Sequence, residues 1–466
     1  MRSFARRVLS GVGWFDIEHK CAYTSHMTNR LPALTSGGAL CLVLLTFTSY
    51  GTSQTLTTLY SFTGGSNGEV PLGNLAFADG ANGPVLYGAT FSGTSNVVFS
   101  LTSPASPGES WTYAVLDTFT YGSTEGFMPA GGVALGSGGA LYGTTKFGGG
   151  GGGTACGPEY GCGSVFSLTP PASPGGAWTQ ALLYGFSGDP GDGYFPVAGV
   201  VAGDGGVLYG TTSLGGTRCS GDCGTVFSLT PPTSPGGAWS ETLLHSFGPP
   251  SQAYGPMAGV TIGSGGDLYG TTAYGGARGC GTVFTLKPPA SPGGPWAEGT
   301  LYSFTCAPDG EKPVAGLEFG AGGVLYGTTN LGGTGDCPSG CGTVFALTPP
   351  ASPGGAWTET VLHSFTDNNG DGAYPWAGVV IGGGGVLYGT TAEGGNSPTC
   401  CGSVFSLTPP ASPGGAWTEA VLGFGGSPNG GASPRGGLVI GSEGVLYGTT
   451  TAGGNRNNGA IFAWKP

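Results

Sequence analysis

The chain has 466 residues, of which only 8% are charged, and a formal net charge of −12. Its 101 glycines and 36 prolines would suit a low-complexity chain, but Val, Leu, Tyr and Phe recur at fixed places, and a disordered chain lacks that apolar surface. Acidity on this scale repels phosphate backbones, which excludes nucleic acid and anionic membrane surfaces as natural partners.

Residues 1–54 stand apart from the rest of the chain. Ala39-Leu-Cys-Leu-Val-Leu-Leu-Thr-Phe47 is an apolar run too short to span a bilayer, with Arg30 before it and Ser49-Tyr-Gly51 after it. A basic start, an apolar middle and a small-residue end are the layout of a secretory signal. Met27 is the expected start of that signal, which makes 1–26 an upstream extension, and Cys41 has no lipobox before it, so lipidation is not expected. Removing 1–54 takes away Asp16, Glu18, Arg2, Arg6, Arg7, Lys20 and Arg30, leaving 23 acidic against 8 basic residues and a net charge of −15. The mature chain is expected to have no membrane span and to be secreted, extracellular or periplasmic.

The repeats begin with Leu59-Tyr-Ser-Phe62, a strand end that returns as Leu116 to Phe119, Leu183 to Phe186, Leu244 to Phe247, Leu301 to Phe304, Leu362 to Phe365 and the shortened Leu422-Gly-Phe424. Leu-Tyr-Gly-(Thr/Ala)-Thr starts at Leu86, Leu141, Leu208, Leu268, Leu325, Leu387 and Leu446, so its tyrosines lie 55, 67, 60, 57, 62 and 59 residues apart. After each comes a glycine-rich loop and then Gly-(Ser/Thr)-Val-Phe, at Gly163, Gly224, Gly281, Gly342 and Gly402, with Asn96-Val-Val-Phe99 and Gly459-Ala-Ile-Phe462 as degenerate ends. A period of this kind decides the architecture. In the sixth copy, Trp376–Ile381 and Val386–Thr391 are β-branched runs, and Ser403–Thr408 and Trp417–Phe424 alternate polar with apolar. That alternation predicts half-buried strands. The connector Pro409-Pro-Ala-Ser-Pro-Gly-Gly415 suits neither a helix nor a central strand.

Four strands per copy and no helical signal make a sheet with two faces to cover. Radial packing covers both faces and hides most edges, so the expected fold is all-β: a seven-bladed β-propeller with four antiparallel strands per blade. A linear β-solenoid has a shorter coil and is disfavoured. The first strand end precedes the first Leu-Tyr-Gly word, and the last Val-Phe-type word is followed only by the residues up to Pro466. Residues 55–62 are therefore expected to complete the C-terminal blade and close the ring, making 55–466 a single domain.

Leu-Tyr-Gly-Thr-Thr, Gly-Gly…Gly-Thr-Val-Phe and Leu-x-Ser-Phe…Asp-Gly-x-x-Pro recur in fixed order across residues 55–466, and together they resemble the GloVer tandem repeat of secreted bacterial proteins. The resemblance implies export, in some members a C-terminal surface-sorting segment, and no assigned activity. The ending Ala463-Trp-Lys-Pro466 has no terminal apolar segment or basic tail, so surface anchoring is not expected.

In a propeller, loops between the middle strands and loops between blades share one face. That face would hold the cysteine-bearing and acidic loops, where length varies and binding loops usually sit. Cys156/Cys162, Cys219/Cys223 and Cys337/Cys341 are local pairs, Cys280 has Cys306 in the next inter-blade loop, and Cys400 and Cys401 are adjacent. In an exported chain these read as disulfides. Zinc would need four ligands, and none of these loops offers four or contains His.

Asp367-Asn-Asn-Gly-Asp-Gly372 matches the first half of a calcium loop, with Asp367, Asn369 and Asp371 as candidate ligands. Gly378 stands where the bidentate carboxylate belongs, and Asp189-Pro-Gly-Asp-Gly193 and Pro308-Asp-Gly-Glu311 repeat the Asp-Gly, so a repeated turn is preferred over calcium. No other cofactor is expected.

No catalytic residue is assigned. His19 and His26 fall in the segment expected to be removed, while His245 and His363 take the place of Tyr60, Tyr184 and Tyr302. There is no Ser-His-Asp arrangement, nucleophile elbow or phosphate loop. The seven tyrosines and Trp111, Trp178, Trp239, Trp296, Trp357 and Trp417 repeat once per blade, which points to packing between blades rather than sugar stacking. The expected function is a secreted, monomeric, non-catalytic propeller serving as a binding or scaffold module for extracellular glycan or protein. The alternative is a propeller enzyme, of glycoside hydrolase or polysaccharide lyase type, using loop-face carboxylates such as Asp222, Glu311, Asp336 and Glu393.

Overall fold

The two repeated words are neighbouring strands held in register by a glycine. The computed structural model describes residues 56–466 except 82, 92–95, 107, 151–155, 158–159, 174, 190, 219–222, 235, 250–252, 292, 353, 369, 396–400, 413 and 426–429; the signal-like segment lies outside the described residues. In the third copy, Leu208–Thr212 pairs antiparallel with Thr225–Thr230, which sets Gly210 opposite Phe227. A Cβ on Gly210 would stand 2.5 Å from the Phe227 Cζ, so the missing side chain is what lets the ring lie across the strand. All seven copies repeat this pairing, from Gly88 with Phe99 to Gly448 with Phe462.

The second Thr of Leu-Tyr-Gly-Thr-Thr faces the Ser or Thr that opens the Val-Phe word. Thr212 and Thr225 join their hydroxyls at 2.7 Å, and Thr212 also donates to the Leu214 carbonyl at 2.8 Å, so these buried hydroxyls are satisfied.

Among the described residues the strands form seven four-stranded antiparallel sheets. The third blade, from inside out, is Val201–Ala202, Leu208–Thr212, Thr225–Thr230 and Ser240–Ser246. The seventh is Val439–Ile440, Leu446–Thr450, Ala460–Trp464 and then Leu56–Ser61, so the first strand of the array is the outer strand of the last blade, as expected.

Packing between blades follows the same period. The Phe that ends each outer strand meets the Val-Phe ring of the next blade, as Phe186 does Phe227 (5.1 Å) and Phe365 does Phe405 (5.2 Å). Phe62 closes the ring on Phe99 at 5.3 Å. The repeated tyrosines and tryptophans meet edge-to-face in the same way: Tyr142 with Trp239, Tyr326 with Trp417, and Tyr447 with Trp111 across the closure, at 6.1, 6.2 and 5.9 Å. The seventh blade has no connector tryptophan, and its buried Trp464 takes that role against Tyr388.

Two features depart from the expected strands. The inner strand of the sixth blade pairs only at Val380–Ile381, not from Trp376, because the preceding Ala-Gly step is used for contact between neighbouring blades. A Cβ on Gly378 would lie 2.6 Å from the Gly316 carbonyl oxygen, and one on Gly436 would lie 2.7 Å from that of Gly73. Thr211, Thr271 and Thr328 hydroxyls donate to the carbonyls of Ala258, Ala315 and Ala377 in the following blade, at 2.8–2.9 Å. The second departure is a β-bulge in the outer strand, at Leu244 opposite the Val226–Phe227 step in the third blade and at the equivalent place in five others. The shortened Leu422-Gly-Phe424 lacks one residue, and there the ladder runs unbroken.

Candidate functional site

Each blade opens with a residue in the left-handed conformation. The residue before the proline that leads into each inner strand is left-handed throughout: Val70 (φ 55°), Met128 (61°), Phe195 (57°), Gly255 (67°), Lys312 (54°), Tyr374 (56°) and Ser433 (52°). For a side chain this conformation costs about 1–2 kcal/mol, and it persists because both backbone groups are tied down. Phe195, Gly255, Lys312, Tyr374 and Ser433 donate their N–H groups to the carbonyls of Cys162, Cys223, Cys280, Cys341 and Cys401 in the preceding blade. Their own carbonyls accept from Ser213, Ala273, Asn330, Ala392 and Thr451.

The cystines therefore brace the point of contact between blades. Cys156–Cys162, Cys280–Cys306 and Cys337–Cys341 are disulfides with Cα separations of 5.3, 5.4 and 5.1 Å. Cys223 and Cys401 are also disulfide-bonded, while Cys219 and Cys400 lie outside the described residues.

Inter-blade and middle loops pair with each other on this face. Gly193–Tyr194 lies along Leu214–Gly215 and Gly372–Ala373 along Glu393–Gly394, with single bridges at Phe127–Phe147 and Tyr254–Tyr274. Side chains here repeat only in part: the stacked pair Phe127–Phe147 returns as Tyr254–Tyr274, but Tyr121 and Tyr160 have no such counterpart. Tyr121 meets Phe127 (5.0 Å) and Tyr160 (6.1 Å), and Phe147 meets Tyr160 (6.0 Å) and Phe195 (5.1 Å). Tyr121 is 62% exposed and Tyr160 42% exposed. Tyr160 lies within the Cys156–Cys162 loop, and its carbonyl accepts from the Gly148 N–H at 2.6 Å.

Lys146 sits 5.3 Å from the Phe147 ring centre, with its pKa lowered by burial. A second patch stacks Tyr254 on Tyr274 at 5.3 Å, with the Lys312 ammonium 5.8 Å over Tyr274. Motif and spacing alone do not single out these aromatics. The signal that Tyr121 and Tyr160 carry is a failure to repeat, whereas the tyrosines that repeat in every blade pack between blades.

A set of polar groups does repeat at the outer seams. Asp192 accepts from the Ser187 N–H and hydroxyl and the Gly193 N–H, and Tyr184 of the outer strand reaches it at 3.3 Å. Asp309 is bound in the same way by Thr305, Gly310 and Tyr302. Asp371 is bound by Thr366 and Gly372, with His363 at 3.4 Å in the tyrosine's place. The next blade's outer strand adds Glu241, Glu359 and Glu419 respectively. Burial first, and then the charge of Asp192 or Asp309, pushes Glu241 and Glu359 up to about 7. Burial disfavours the His363 imidazolium, but its hydrogen bond to Asp371 and the charges of Glu419 and Asp371 outweigh this and raise its pKa. His245 has no loop Asp beside it: burial and then the Arg218 charge lower it to about 4.

Of the candidate calcium ligands, Asp371 is engaged as above and Asn369 lies outside the described residues. Asp367 is left-handed (φ 58°), with a buried Oδ1 that has no hydrogen-bond partner among the described residues. Of the loop-face acids, Asp222 lies outside the described residues, Asp336 receives the Asn368 amide at 3.4 Å, and Glu311 and Glu393 sit in the loop ladders. Among the described residues no three carboxylates converge. None of their helices is long and apolar enough to cross a membrane.

Residues 151–356 and 299–466 match the Gloeobacter/Verrucomicrobia repeat. No curated protein sequence matches. Solved structures similar to the chain include an ulvan lyase of a polysaccharide lyase family (10% identity, 85% of this chain and 94% of that one, TM-score 0.47). Others are a protein of unknown function from Dyadobacter fermentans (11%, 88% and 97%, TM-score 0.41) and a glucose dehydrogenase (14%, 88% and 99%, TM-score 0.41). These likenesses extend to the fold alone.

Proposed function

Because the chain belongs to the Gloeobacter/Verrucomicrobia repeat family, we propose that it is an exported, non-catalytic propeller whose loop face binds extracellular glycan or protein. The observation that carries this reading is the aromatic chain Tyr121–Tyr160–Phe147–Phe195, in which Tyr121 and Tyr160 have no counterpart in a molecule that otherwise repeats itself. Exposed apolar patches on a soluble surface mark binding sites. Rigid tyrosines lose little entropy when they pack against a ligand, and Tyr160 is held further by a disulfide. The paired cysteines support an oxidising compartment. The aspartates at the outer seams are occupied in holding loops.

The test is a polysaccharide and secreted-protein pull-down, scored together with reducing-sugar release. Retention without release, reduced at least about tenfold in a Tyr121→Ala/Tyr160→Ala double variant, is expected; about 1.4 kcal/mol of lost contact suffices for that. Release that a single carboxylate substitution abolishes would replace this reading with the enzyme.

A further inference from the structure

One outer seam differs from the others in a way that packing does not require. In the seams after the second and fourth blades, Asp and Glu are accompanied by Tyr184 or Tyr302. After the third blade there is His245, with Glu298 in the next outer strand but no loop Asp. After the fifth blade, His363, Asp371 and Glu419 occur together, supplied by an outer strand, the loop that follows it and the next blade's outer strand.

The geometry points to a divalent transition-metal site, of the zinc or cobalt class, formed by His363 Nε2, Asp371 Oδ1 and Glu419 Oε1. His363 Nε2 lies 3.4 Å from Asp371 Oδ1 and 3.3 Å from Glu419 Oε1, and the three donor atoms all fall within 4.8 Å of one another. Bonds of about 2.0–2.2 Å around a tetrahedral zinc put neighbouring donors about 3.3–3.6 Å apart, so the two distances from His363 already match edges of such a site, and the two carboxylates lie within 4.8 Å of each other. Glu419 Oε1 is buried and makes no hydrogen bond among the described residues, the His363 nitrogen 3.3 Å away being bonded to Asp371, and an ion would satisfy it.

The side chains keep 20%, 12% and 18% of their surface exposed, which leaves an open side for water as the fourth ligand. Asp371 is oriented by Thr366 and Gly372, the outer support that metal-ligating carboxylates need. Imidazole with two carboxylates suits zinc, cobalt or manganese and disfavours calcium and magnesium, which prefer oxygen alone. The other convergent group, Cys280, Cys306 and Glu311, has its sulfurs joined in a disulfide and offers no thiolate. Bound metal would tie the fifth blade to the sixth at the rim.

The test uses the tag-free chain, stripped with chelator and titrated with zinc by calorimetry and with cobalt by visible absorption. His363→Tyr recreates the side chain found at Tyr184 and Tyr302, so it removes the nitrogen donor while keeping an arrangement the fold already uses twice. One saturable zinc per chain is expected. His363→Tyr should weaken it by more than the roughly 10–100-fold that losing an outer support costs, Glu419→Gln should weaken it too, and His245→Tyr should leave it unchanged. The inference is overturned by no saturable binding, by equal binding in folded His363→Tyr, or by calcium competing at equal concentration.

Discussion

At Gly210 and its six counterparts the absence of a side chain is the structural requirement. The Phe opposite fills that space and also meets the Phe of the preceding blade, so one ring serves both the sheet and the seam. Phe405→Ala is expected to cost about 3–5 kcal/mol, and Gly389→Val, which drives a side chain into the Phe405 ring, about 1–3 kcal/mol. Both are read as shifts in a urea unfolding curve.

Glu443 is the reverse case. Five other blades place Gly138, Gly205, Gly265, Gly322 or Gly384 at this left-handed turn position, while Glu443 holds φ 66° with a side chain. Its ion pair with Lys465 (3.8 Å) is largely exposed and contributes little. Glu443→Gly should therefore stabilise the protein by about 1 kcal/mol; a lower urea midpoint would mean the ion pair outweighs the strain.

Outer strands carry the pH dependence. The folded pKa values of Glu241 and Glu359, about 7, lie above the ordinary glutamate value, so the folded state holds protons that the unfolded chain releases. Their contribution is complete below about pH 4.5 and is lost as the pH rises through about 7. The thermal midpoint should fall between pH 5 and pH 8. A Glu241→Gln/Glu359→Gln variant, whose amides mimic the protonated acids, should flatten that fall and melt higher at pH 8; an unchanged slope would place the dependence elsewhere.

The middle loops carry a different load. The Cys156–Cys162 bridge closes a six-residue separation and contributes at most about 2 kcal/mol by loop entropy. A Cys156→Ser/Cys162→Ser variant should keep its fold and lose ligand retention, because the loop that carries Tyr160 then loses its covalent closure.

For the whole molecule the decisive contact is ring closure. Leu56–Ser61 pairs along Ala460–Trp464, Tyr60 stacks on Tyr113 of the first blade at 4.1 Å, and Phe62 is fully buried. Without residues 54–62, the edge Ala460–Trp464 and two apolar seams would be open to solvent and to other chains. Deletion should lower the thermal midpoint more than Phe405→Ala does and produce oligomers on size exclusion. A monomer with an unchanged midpoint would show that the ring does not depend on its closing strand.

Blade number, strand order, the closing strand and the Cys280–Cys306 pairing could all be read from residue order. Each is a matter of local alternation or of counting copies, and in a ring of equal sheets counting also fixes neighbours. The short inner strands could not be read, because the Ala-Gly step looks like strand until the neighbouring blade takes up its backbone. The tyrosines show the same division. Tyr142 and Tyr388 announce their packing by repetition, whereas Tyr121 and Tyr160 acquire meaning only when two loops 39 residues apart in the chain come together. His363 reads in sequence as a tyrosine substitute on a strand, which it is. That it faces Asp371 and Glu419 at hydrogen-bond range was decided by the distance between blades, a property of packed aromatic side chains that no sequence period encodes.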